Sequence, residues 1–419
     1  MNENIRIGVV GLGGRGRGMM HTLLCIEDVR VTAVCDNYGD RAEKAANEVA
    51  ERFDYRPAVY LDYHELLQRD DVDAVLCCST WITHSRIAAD AMAAGKHVAI
   101  EVGGAASTEE CWELVRTSRE SGKFCMLLEN CCYGRTEMAI YNMSRQGVLG
   151  EIVHVQGGYQ HDLRDEICMG KDNHHGRLFN FMNRNGELYP THQLGPIAKL
   201  LGINRGNRFL TVSAMTSKAR GLHEWVAAHK ADDAQLLNHV FTQGDVTTTM
   251  IQCAHGETIL LVHDCSLPRP YSRNYRVHGT KGIYMEDGDK IYLDGVSPKN
   301  HHWEDFLPYK EKYEHPLWQD YLDIASIFGH DGMDYLVLNA FAESVRLDAA
   351  PPIDVFDTAA WMAITCLSEQ SISLGGMPVA VPDFTNGMWI DREPFRRGRY
   401  CLDAVCKEVF ENEEEKKDV

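Results

Sequence analysis

Residues 5–16 read Ile5-Arg6-Ile7-Gly8-Val9-Val10-Gly11-Leu12-Gly13-Gly14-Arg15-Gly16. The apolar run that ends at Val10 predicts a buried strand, and the residues after Gly16 have the spacing of a helix. The glycines between them fit the pattern G-x-G-x-x-G, which is a weak signal when it stands alone. Here Asp36 ends the next predicted strand, twenty residues after Gly16. Strand, glycine turn, helix and acid in this order predict a dinucleotide site.

The residues of this stretch also predict how a dinucleotide is held. Glycines at the turn let the backbone approach a pyrophosphate, which the N–H groups of the helix terminus bind. Asp36 would accept hydrogen bonds from a ribose hydroxyl and would repel a 2′-phosphate, so NAD is favoured over NADP. A structural glycine turn with a surface aspartate is the alternative. The predicted turn residues are Gly11, Gly13, Gly14, Arg15 and Gly16.

The same alternation of short apolar runs and helical segments continues to about Leu128. The runs predicted as buried strands are Ile7–Val10, Arg30–Cys35, Ala74–Cys78, His97–Ile100 and Phe124–Leu128. The segments predicted as helices are Arg17–Glu27, Arg41–Arg52, His84–Ala94 and Thr108–Ser121. Strands that alternate with helices in this way predict a parallel, doubly wound sheet of the Rossmann type.

The pattern changes after Asn130. A helix at Glu137–Gln146 is followed by runs that alternate apolar and polar residues, which is typical of an antiparallel sheet with one solvated face. These runs are Ile152–Tyr159, Phe209–Thr216, Thr247–Gln252, Thr258–Cys265 and Tyr275–Gly279. The late helical block is predicted at Pro316–Phe328, Tyr335–Asp348 and Asp357–Leu374 and is expected to pack back and cover a sheet face. The acidic tail after Phe410 is predicted to be a frayed helix end or disordered.

The sequence therefore predicts an α/β protein with two domains. Residues 1–130 form the NAD-binding Rossmann domain, and residues 131–419 form an α+β domain with a large, mostly antiparallel sheet that binds substrate and serves oligomerisation. Because a wide sheet with an exposed face often becomes a subunit interface, we expect a homo-oligomer, either a dimer or a tetramer.

Composition limits the partners. Lys and Arg number 42 against 61 Asp and Glu, so the net charge of −19 disfavours nucleic acid and anionic membranes. No run reaches the length of about 18 apolar residues that a membrane span needs. The 14 cysteines contain no Cys-x-x-Cys pair, and we expect them to be reduced. A cytoplasmic location is the expectation, although a removed export signal would leave the same sequence.

Two adjacent histidine pairs invite a metal hypothesis, at His174-His175 and His301-His302. Adjacent side chains point apart on a strand and lie about 100° apart on a helix, so each pair chelates poorly. The sequence analysis therefore predicts no metal.

Several further motifs resemble a known superfamily. Trp81-Ile82-Thr83-His84, Glu101-Val102 and Asn130, together with the glycine turn, resemble the oxidoreductases typified by glucose–fructose oxidoreductase and inositol 2-dehydrogenase. Within this superfamily, the second half of the chain resembles glycoside hydrolase family 109, which contains NAD-dependent α-N-acetylgalactosaminidases. The stretches that carry this resemblance are Tyr189–Pro196, His175-Gly176-Arg177, Tyr159 and Arg269-Pro270-Tyr271.

Two departures favour the glycosidase branch of this superfamily. The dehydrogenases usually carry Glu-Lys-Pro where this chain has Glu101-Val102-Gly103, so the lysine that assists proton transfer is absent. They also commonly carry Asp four residues before the histidine of the second domain, where this chain has Leu188. A simple dehydrogenase would thus lack two polar groups at its reacting centre.

The resemblance implies a redox route to glycoside cleavage. In this route carbon 3 of the sugar is oxidised, the acidified proton on carbon 2 is removed, the aglycone leaves from carbon 1, water adds, and carbon 3 is reduced again. NAD is regenerated in each cycle and should be tightly held. A conventional glycosidase needs two flanking carboxylates, and no motif in the sequence marks such a pair.

The predicted site follows from the resemblance and from side-chain chemistry. We expect His192 to be the base, since its pKa suits proton transfer in both directions. Tyr189 is expected to assist at the carbon 3 hydroxyl, and His161 is the second candidate for proton transfer. By spacing alone, these histidines and tyrosines could equally be structural residues. The predicted substrate residues are Tyr159, Arg177, Tyr189, Pro190, Thr191, His192 and Tyr271, and the cofactor residues beyond the turn are Asp36, Trp81, His84, Glu101, Val102 and Asn130.

Two other functions compete with a glycosidase that acts on a carbohydrate or glycan. A sugar dehydrogenase would consume external NAD⁺ and release NADH. A dinucleotide-binding sensor would keep the pocket without the chemistry, and the presence of both Tyr189 and His192 disfavours it.

Overall fold

The computed structural model describes residues 4–325, 327–396 and 398–405. Within them, the first sheet has six parallel strands in the order β3-β2-β1-β4-β5-β6, the order of the doubly wound dinucleotide-binding fold. Its strands are β1 Ile5–Val10, β2 Val29–Cys35, β3 Ala58–Tyr60, β4 Ala74–Cys77, β5 His97–Ile100 and β6 Cys125–Leu127. The predicted parallel sheet is confirmed, and β3 is a strand that the sequence analysis did not predict.

Five helices connect these strands. They are α1 Gly14–Leu23, α2 Gly39–Arg52, α3 Tyr63–Leu67, α4 Trp81–Ala93 and α5 Thr108–Ser121. The first helix begins at Gly14 rather than at the predicted Arg17, so the glycine turn runs directly into its first turn. The fourth begins at Trp81 rather than at His84. Strands β1, β4 and β5 are almost wholly buried because helices cover both faces of the sheet.

The second sheet has nine strands within the described residues, in the order β14-β13-β12-β11-β7-β10-β9-β8-β15. These strands are β7 Ile152–Gln160, β8 Phe209–Thr216, β9 Val246–Cys253, β10 Thr258–Asp264, β11 Arg276–Gly279, β12 Gly282–Met285, β13 Lys290–Leu293, β14 Glu304–Asp305 and β15 Val379–Ala380. Seven neighbouring pairs are antiparallel, and only β7 and β10 run parallel. The expectation of a large, mostly antiparallel sheet is confirmed.

The remaining helices surround this sheet and the junction with the first. They are α6 Arg135–Arg145, α7 Arg164–Cys168, α8 Gly170–Asn173, α9 Arg177–Asn183, α10 Thr191–Leu200, α11 Gly221–His229, α12 Ala234–Leu237, α13 Leu307–Lys312, α14 Pro316–Ala325, α15 Met333–Leu347 and α16 Val355–Ser373. Short 3₁₀ turns occur at Asn130–Tyr133, His330–Gly332 and Met388–Ile390.

The late helices join the two sheets rather than covering one. Helix α16 packs between β8 of the second sheet and α5, which covers the first sheet. Its Trp361 is fully buried. Helix α15 packs on α1 and β1 and not on the second sheet, which corrects the expectation for that helix. The reason is that α15 is apolar toward the first core, and its first turn places Asp334 beside the glycine turn. The predicted tail after Phe410 lies outside the described residues.

Two further observations concern membrane spans and the state of the cysteines. None of the described helices combines the length and the hydropathy that a membrane span requires. The cysteines within the described residues are all free thiols, and most of them are buried.

Candidate active site

The glycine turn between β1 and α1 has packed ends and an open centre. Gly11 has a φ of +88°, and a Cβ there would lie 2.6 Å from the Cys78 backbone, so only glycine fits. A Cβ on Gly16 would lie 1.9 Å from the Gly11 carbonyl oxygen. A Cβ on Gly14, in contrast, would meet no atom within 4 Å, and one on Gly13 only the tip of an arginine. This shape fits a pyrophosphate at the N-terminus of α1.

Asp36 follows β2 and is fixed against the turn. Its Oδ2 accepts a hydrogen bond from the Leu12 N–H at 2.6 Å, and its Oδ1 accepts one from the Tyr38 N–H at 2.9 Å. The carboxylate is therefore buried and oriented by the backbone. A negative charge beside the turn suits a ribose diol and disfavours a 2′-phosphate.

Three of the predicted cofactor residues are linked by a carboxylate that the sequence analysis missed. Arg15 forms ion pairs with Glu101 at 2.8 Å and with Asp334 at 2.5 Å, and the Asn130 amide donates to Asp334 at 2.8 Å. Burial alone would raise the pKa of Asp334, but hydrogen bonds from His330 and Arg15 hold it well below its ordinary value. Asp334 lies on α15, so no local sequence signal connects it to the turn.

Val102 and His84 are both buried. Val102 is almost fully buried, and its N–H contacts the Glu101 carboxylate. His84 bonds the Ser79 carbonyl through Nε2 at 2.9 Å, and burial lowers the pKa of its ring to about 4, so the ring is neutral. The observed contact of His84 is therefore structural, and its predicted contact with a cofactor stays a prediction.

The predicted substrate residues converge on one aromatic cluster at the junction of the sheets. The ring of Tyr189 lies 4.5 Å from that of Tyr159, 4.8 Å from His192 and 5.3 Å from Trp81, measured between ring centres. These residues come from β7, α4, α10 and the segment before α10. Trp81, a predicted cofactor residue on a helix of the first sheet, thus contacts predicted substrate residues that lie beyond residue 130.

The other side of the cluster is formed by Tyr159, His161 and Tyr271. The Tyr159 hydroxyl and His161 Nδ1 are 3.1 Å apart, and the His161 and Tyr271 rings lie 5.0 Å apart. Burial and the nearby Arg177 lower the pKa of His161, so this ring is neutral near pH 7. Tyr271 is half exposed and lies at the rim.

Arg177, the first residue of α9, faces three of the aromatic rings. Its guanidinium carbon lies 5.0 Å from the Tyr189 ring centre, 5.2 Å from Trp81 and 5.8 Å from Tyr159. Nε lies 2.8 Å from the Glu166 carboxylate, whereas Nη1 is buried and has no hydrogen-bond partner in the described part of the chain. A buried guanidinium N–H without a partner can donate to a bound hydroxyl.

His192 is paired with Glu129, a second residue that the sequence analysis missed. His192 Nδ1 lies 2.9 Å from Glu129 Oε1, which also accepts the Cys131 N–H at 3.1 Å. Burial alone would lower the pKa of His192, but Cys131 and Glu129 raise it to about 10, so the ring is protonated near pH 7. The position of Glu129 at the carboxyl end of a parallel strand was the one available signal, because ligands bind at such ends.

Pro190 and Thr191 set the start of α10. Pro190 precedes the first turn with φ of −71° and ψ of −28°, and Thr191 is fully buried. They position Tyr189 just before the helix and His192 within its first turn. Their predicted contact with substrate stays a prediction.

The structure also contains a candidate metal-ligand group. Glu129, Cys131 and His192 each offer one ligand atom, and these atoms lie within 4.8 Å of one another. In the sequence, only adjacent histidines and adjacent cysteines invited a metal hypothesis. In those pairs, His174 and His301 adopt left-handed backbone conformations with φ of +52° and +63°.

Comparison with known proteins connects both halves of this site to characterised families. Residues 5–128 match the oxidoreductase family with an NAD-binding Rossmann fold, and residues 133–391 match the C-terminal domain of glycosyl hydrolase 109. A solved structure of scyllo-inositol dehydrogenase from Lactobacillus casei, with bound NAD(H) and scyllo-inositol, superposes with a TM-score of 0.63 at 16% identity. That superposition covers 90% of this chain and 99% of the dehydrogenase, and it shows the shared fold.

Relatives that match over most of this chain narrow the family assignment. A glycosyl hydrolase family 109 protein of Stenotrophomonas maltophilia (strain K279a) is 41% identical over 416 residues, which cover 94% of this chain and 91% of the relative. An alpha-N-acetylgalactosaminidase of Tannerella forsythia is 39% identical over 413 residues, which cover 93% of this chain and 88% of the relative. The chain has an NAD-binding Rossmann domain, and it belongs to glycosyl hydrolase family 109 and is a glycoside hydrolase.

Proposed function

We propose that this glycoside hydrolase cleaves α-N-acetylgalactosaminides by a redox and elimination route that uses tightly bound NAD. The observation that carries the proposal is the cluster around Tyr189, where two histidines with different polar partners flank a group of aromatic rings that includes the predicted cofactor residue Trp81. The name of the Tannerella forsythia relative supports the choice of sugar.

The residues of the first unit fit the dinucleotide. The open centre of the glycine turn suits the pyrophosphate, and Asp36 suits the adenosine ribose. When bound, NAD supplies a reversible oxidation of carbon 3 of the sugar, which makes the proton on carbon 2 acidic. Arg15, Glu101, Asn130 and Asp334 form the network that fixes the wall of this site.

The two histidines suit opposite directions of proton transfer. His161 is neutral near pH 7 and can accept a proton, whereas His192 carries one that Glu129 stabilises. A cycle that takes a proton from carbon 2 and delivers one to the departing oxygen needs both an acceptor and a donor. We therefore propose His161 as the initial acceptor and His192 as the initial donor, which modifies the hypothesis that His192 is the base.

The aromatic and cationic residues hold the sugar. Tyr159, Tyr189 and Trp81 offer flat apolar faces, and the unpartnered Nη1 of Arg177 offers a donor for a sugar hydroxyl or the acetamido oxygen. Burial raises the pKa of Tyr159 to about 12 and holds that of Tyr189 well above its ordinary value, so both hydroxyls stay protonated and act as hydrogen-bond donors.

Direct displacement at carbon 1 is less compatible with the pocket. That route needs two carboxylates beside the anomeric carbon. Glu129 has no exposed surface and is bonded by His192 and Cys131, and Glu166 is paired with Arg177. Neither of these carboxylates is free to flank a sugar.

The test is a coupled assay on purified protein. Chromogenic α- and β-N-acetylhexosaminides are supplied while aglycone release and NADH absorbance are followed together. Release of aglycone from the α-N-acetylgalactosaminide without accumulation of NADH supports the proposal. Stoichiometric NADH without cleavage would instead identify a sugar dehydrogenase, whose fold this chain shares.

We also propose a homo-oligomer that forms through the open face of the second sheet. Met215 and Met250 project from neighbouring strands of this sheet with 65% and 41% of their surface exposed. Exposed apolar side chains on a wide sheet are typical of subunit contacts.

A further inference from the structure

We propose that Glu129, Cys131 and His192 bind one thiophilic transition-metal ion, such as Zn²⁺, and that this ion inhibits the enzyme. The proposal that these residues bind a metal does not depend on which reaction the protein catalyses. The proposal that the metal inhibits rests on the proposed function.

The backbone brings the three side chains together. Glu129 and Cys131 are two residues apart at the turn after β6, where the Cys131 N–H bonds the Glu129 carboxylate at 3.1 Å. His192 approaches from the first turn of α10, with Nδ1 2.9 Å from Glu129 Oε1. The three ligand atoms lie within 4.8 Å of one another. Tetrahedral Zn²⁺ with bonds of about 2.0–2.3 Å places its ligands roughly 3–4 Å apart. Separations near the 4.8 Å limit must therefore shrink, and the 2.9 Å contact between His192 Nδ1 and Glu129 Oε1 must widen slightly.

The ligand chemistry selects the class of ion. A sulfur, an imidazole nitrogen and a carboxylate oxygen suit Zn²⁺ or Co²⁺, whereas Mg²⁺ and Ca²⁺ prefer oxygen alone. Three protein ligands also leave a fourth position for water, as in exchangeable zinc sites.

The burial of the group supports a built site rather than a surface cluster. Glu129 and Cys131 are 0% and 2% exposed, and the Glu129 Oε2 atom has no hydrogen-bond partner among the residues that the structure describes. A buried carboxylate oxygen without a partner is costly, and a cation would satisfy it. Arg273, whose charge interacts with Cys131, is itself paired with Glu137 at 2.8 Å.

An ion at this position would change the geometry of the proposed sugar site. It would replace the hydrogen that His192 Nδ1 shares with Glu129 and fix the imidazole. The His192 ring lies 4.8 Å from Tyr189 and 5.4 Å from Tyr159, so the ion would also alter the floor of the sugar pocket. Inhibition should be reversible by a chelator.

The experiment uses the full chain, stripped with EDTA and then desalted. Titration with Co²⁺ should give a thiolate-to-cobalt charge-transfer band and the intense visible bands of tetrahedral Co²⁺, saturating at one ion per chain. Zn²⁺ should abolish both. Cys131→Ser should remove the charge-transfer band, and Glu129→Gln, which keeps the thiol and the imidazole, should weaken Co²⁺ binding by about tenfold or more. Cys25→Ser, which removes an exposed thiol elsewhere, is the matched control and should leave the spectrum unchanged.

The outcomes separate the two halves of the proposal. Absence of the charge-transfer band, or its persistence in Cys131→Ser, overturns the site. One-to-one binding without loss of glycosidase activity overturns the inhibitory role. If no glycosidase activity is found at all, the proposed function and the inhibitory role both fail, while the cobalt spectrum still decides whether the site exists.

Discussion

Replacing Asp334 by asparagine tests whether α15 holds the cofactor turn in place. The Asp334 carboxylate accepts hydrogen bonds from Arg15 at 2.5 and 2.9 Å and from Asn130 at 2.8 Å, and it also contacts His330. Asp334→Asn keeps the shape and removes the charge. Arg15 then has Glu101 as its one remaining carboxylate in this network.

The expected loss of stability follows from the burial of the ion pair. Breaking a buried ion pair costs about 3–5 kcal/mol. The Arg15 side chain is 35% exposed and keeps its pair with Glu101, so solvent and the second carboxylate reduce the effect. We expect unfolding free energy to fall by about 1–3 kcal/mol, and NAD affinity to fall on the order of tenfold because the wall of the site loosens.

The effect should depend on pH in a defined direction. The pKa of Asp334 is lowered in the folded protein, so its stabilisation is fully present above its ordinary pKa of 3.8 and is lost as the pH falls through lower values. The difference between the parent and Asp334→Asn should therefore be constant near neutrality and shrink below about pH 4.

Urea unfolding followed by tryptophan fluorescence, together with calorimetric titration of NAD, measures both quantities. The matched control is Asp348→Asn, because this acid caps the other end of the same helix with a side chain 76% exposed. The control should change stability by less than about 1 kcal/mol. Equal losses in both variants, or unchanged NAD affinity in Asp334→Asn, would refute the reasoning.

Three further substitutions test separate parts of the account. Asp36→Ala should reduce the preference for NAD over NADP in a calorimetric titration with each dinucleotide, because the charge beside the turn is lost; an unmodified protein that prefers NADP would contradict this role. Val102→Lys should not raise the rate of hydrolysis and should lower thermal stability, since the side chain is 3% exposed and a buried ammonium would need both room and a partner there; a large gain in rate would show the opposite. Glu187→Gln should flatten the loss of stability between about pH 4.5 and 8, because burial raises the pKa of Glu187 to about 8, so the folded protein keeps this carboxyl protonated across a range in which the unfolded chain ionises it; equal slopes in urea unfolding would contradict it.

The first sheet was predictable because its signals are local. Short buried runs and amphipathic segments alternate, and the glycine turn marks the first crossover. Strand β3, with three residues, and the strands β12 to β15, with two to four, were missed because such short segments show no clear period. The parallel pairing of β7 with β10 was also beyond prediction, since it depends on contacts between distant segments.

The site was predictable only where a motif or a resemblance marked it. Tyr159, Tyr189 and His192 were found through the family resemblance, and the structure brings them together. Glu129 and Asp334 were missed because a single buried acid has no local pattern, and each acquires its role from a residue far along the chain. The protonation of His192 was likewise not predictable, because it depends on Cys131 and Glu129, which outweigh the opposing effect of burial. The division of domains at residue 130 stays a prediction.

The central claim is that the proton on carbon 2 of the sugar leaves during turnover. Hydrolysis of an α-N-acetylgalactosaminide in D₂O, with the released sugar examined by proton NMR, tests it most directly. Because His161 and His192 exchange their protons with solvent, the redox and elimination route predicts deuterium at carbon 2 of the product. A released sugar that carries only protium at carbon 2 would contradict the account, because direct displacement at carbon 1 leaves that position untouched.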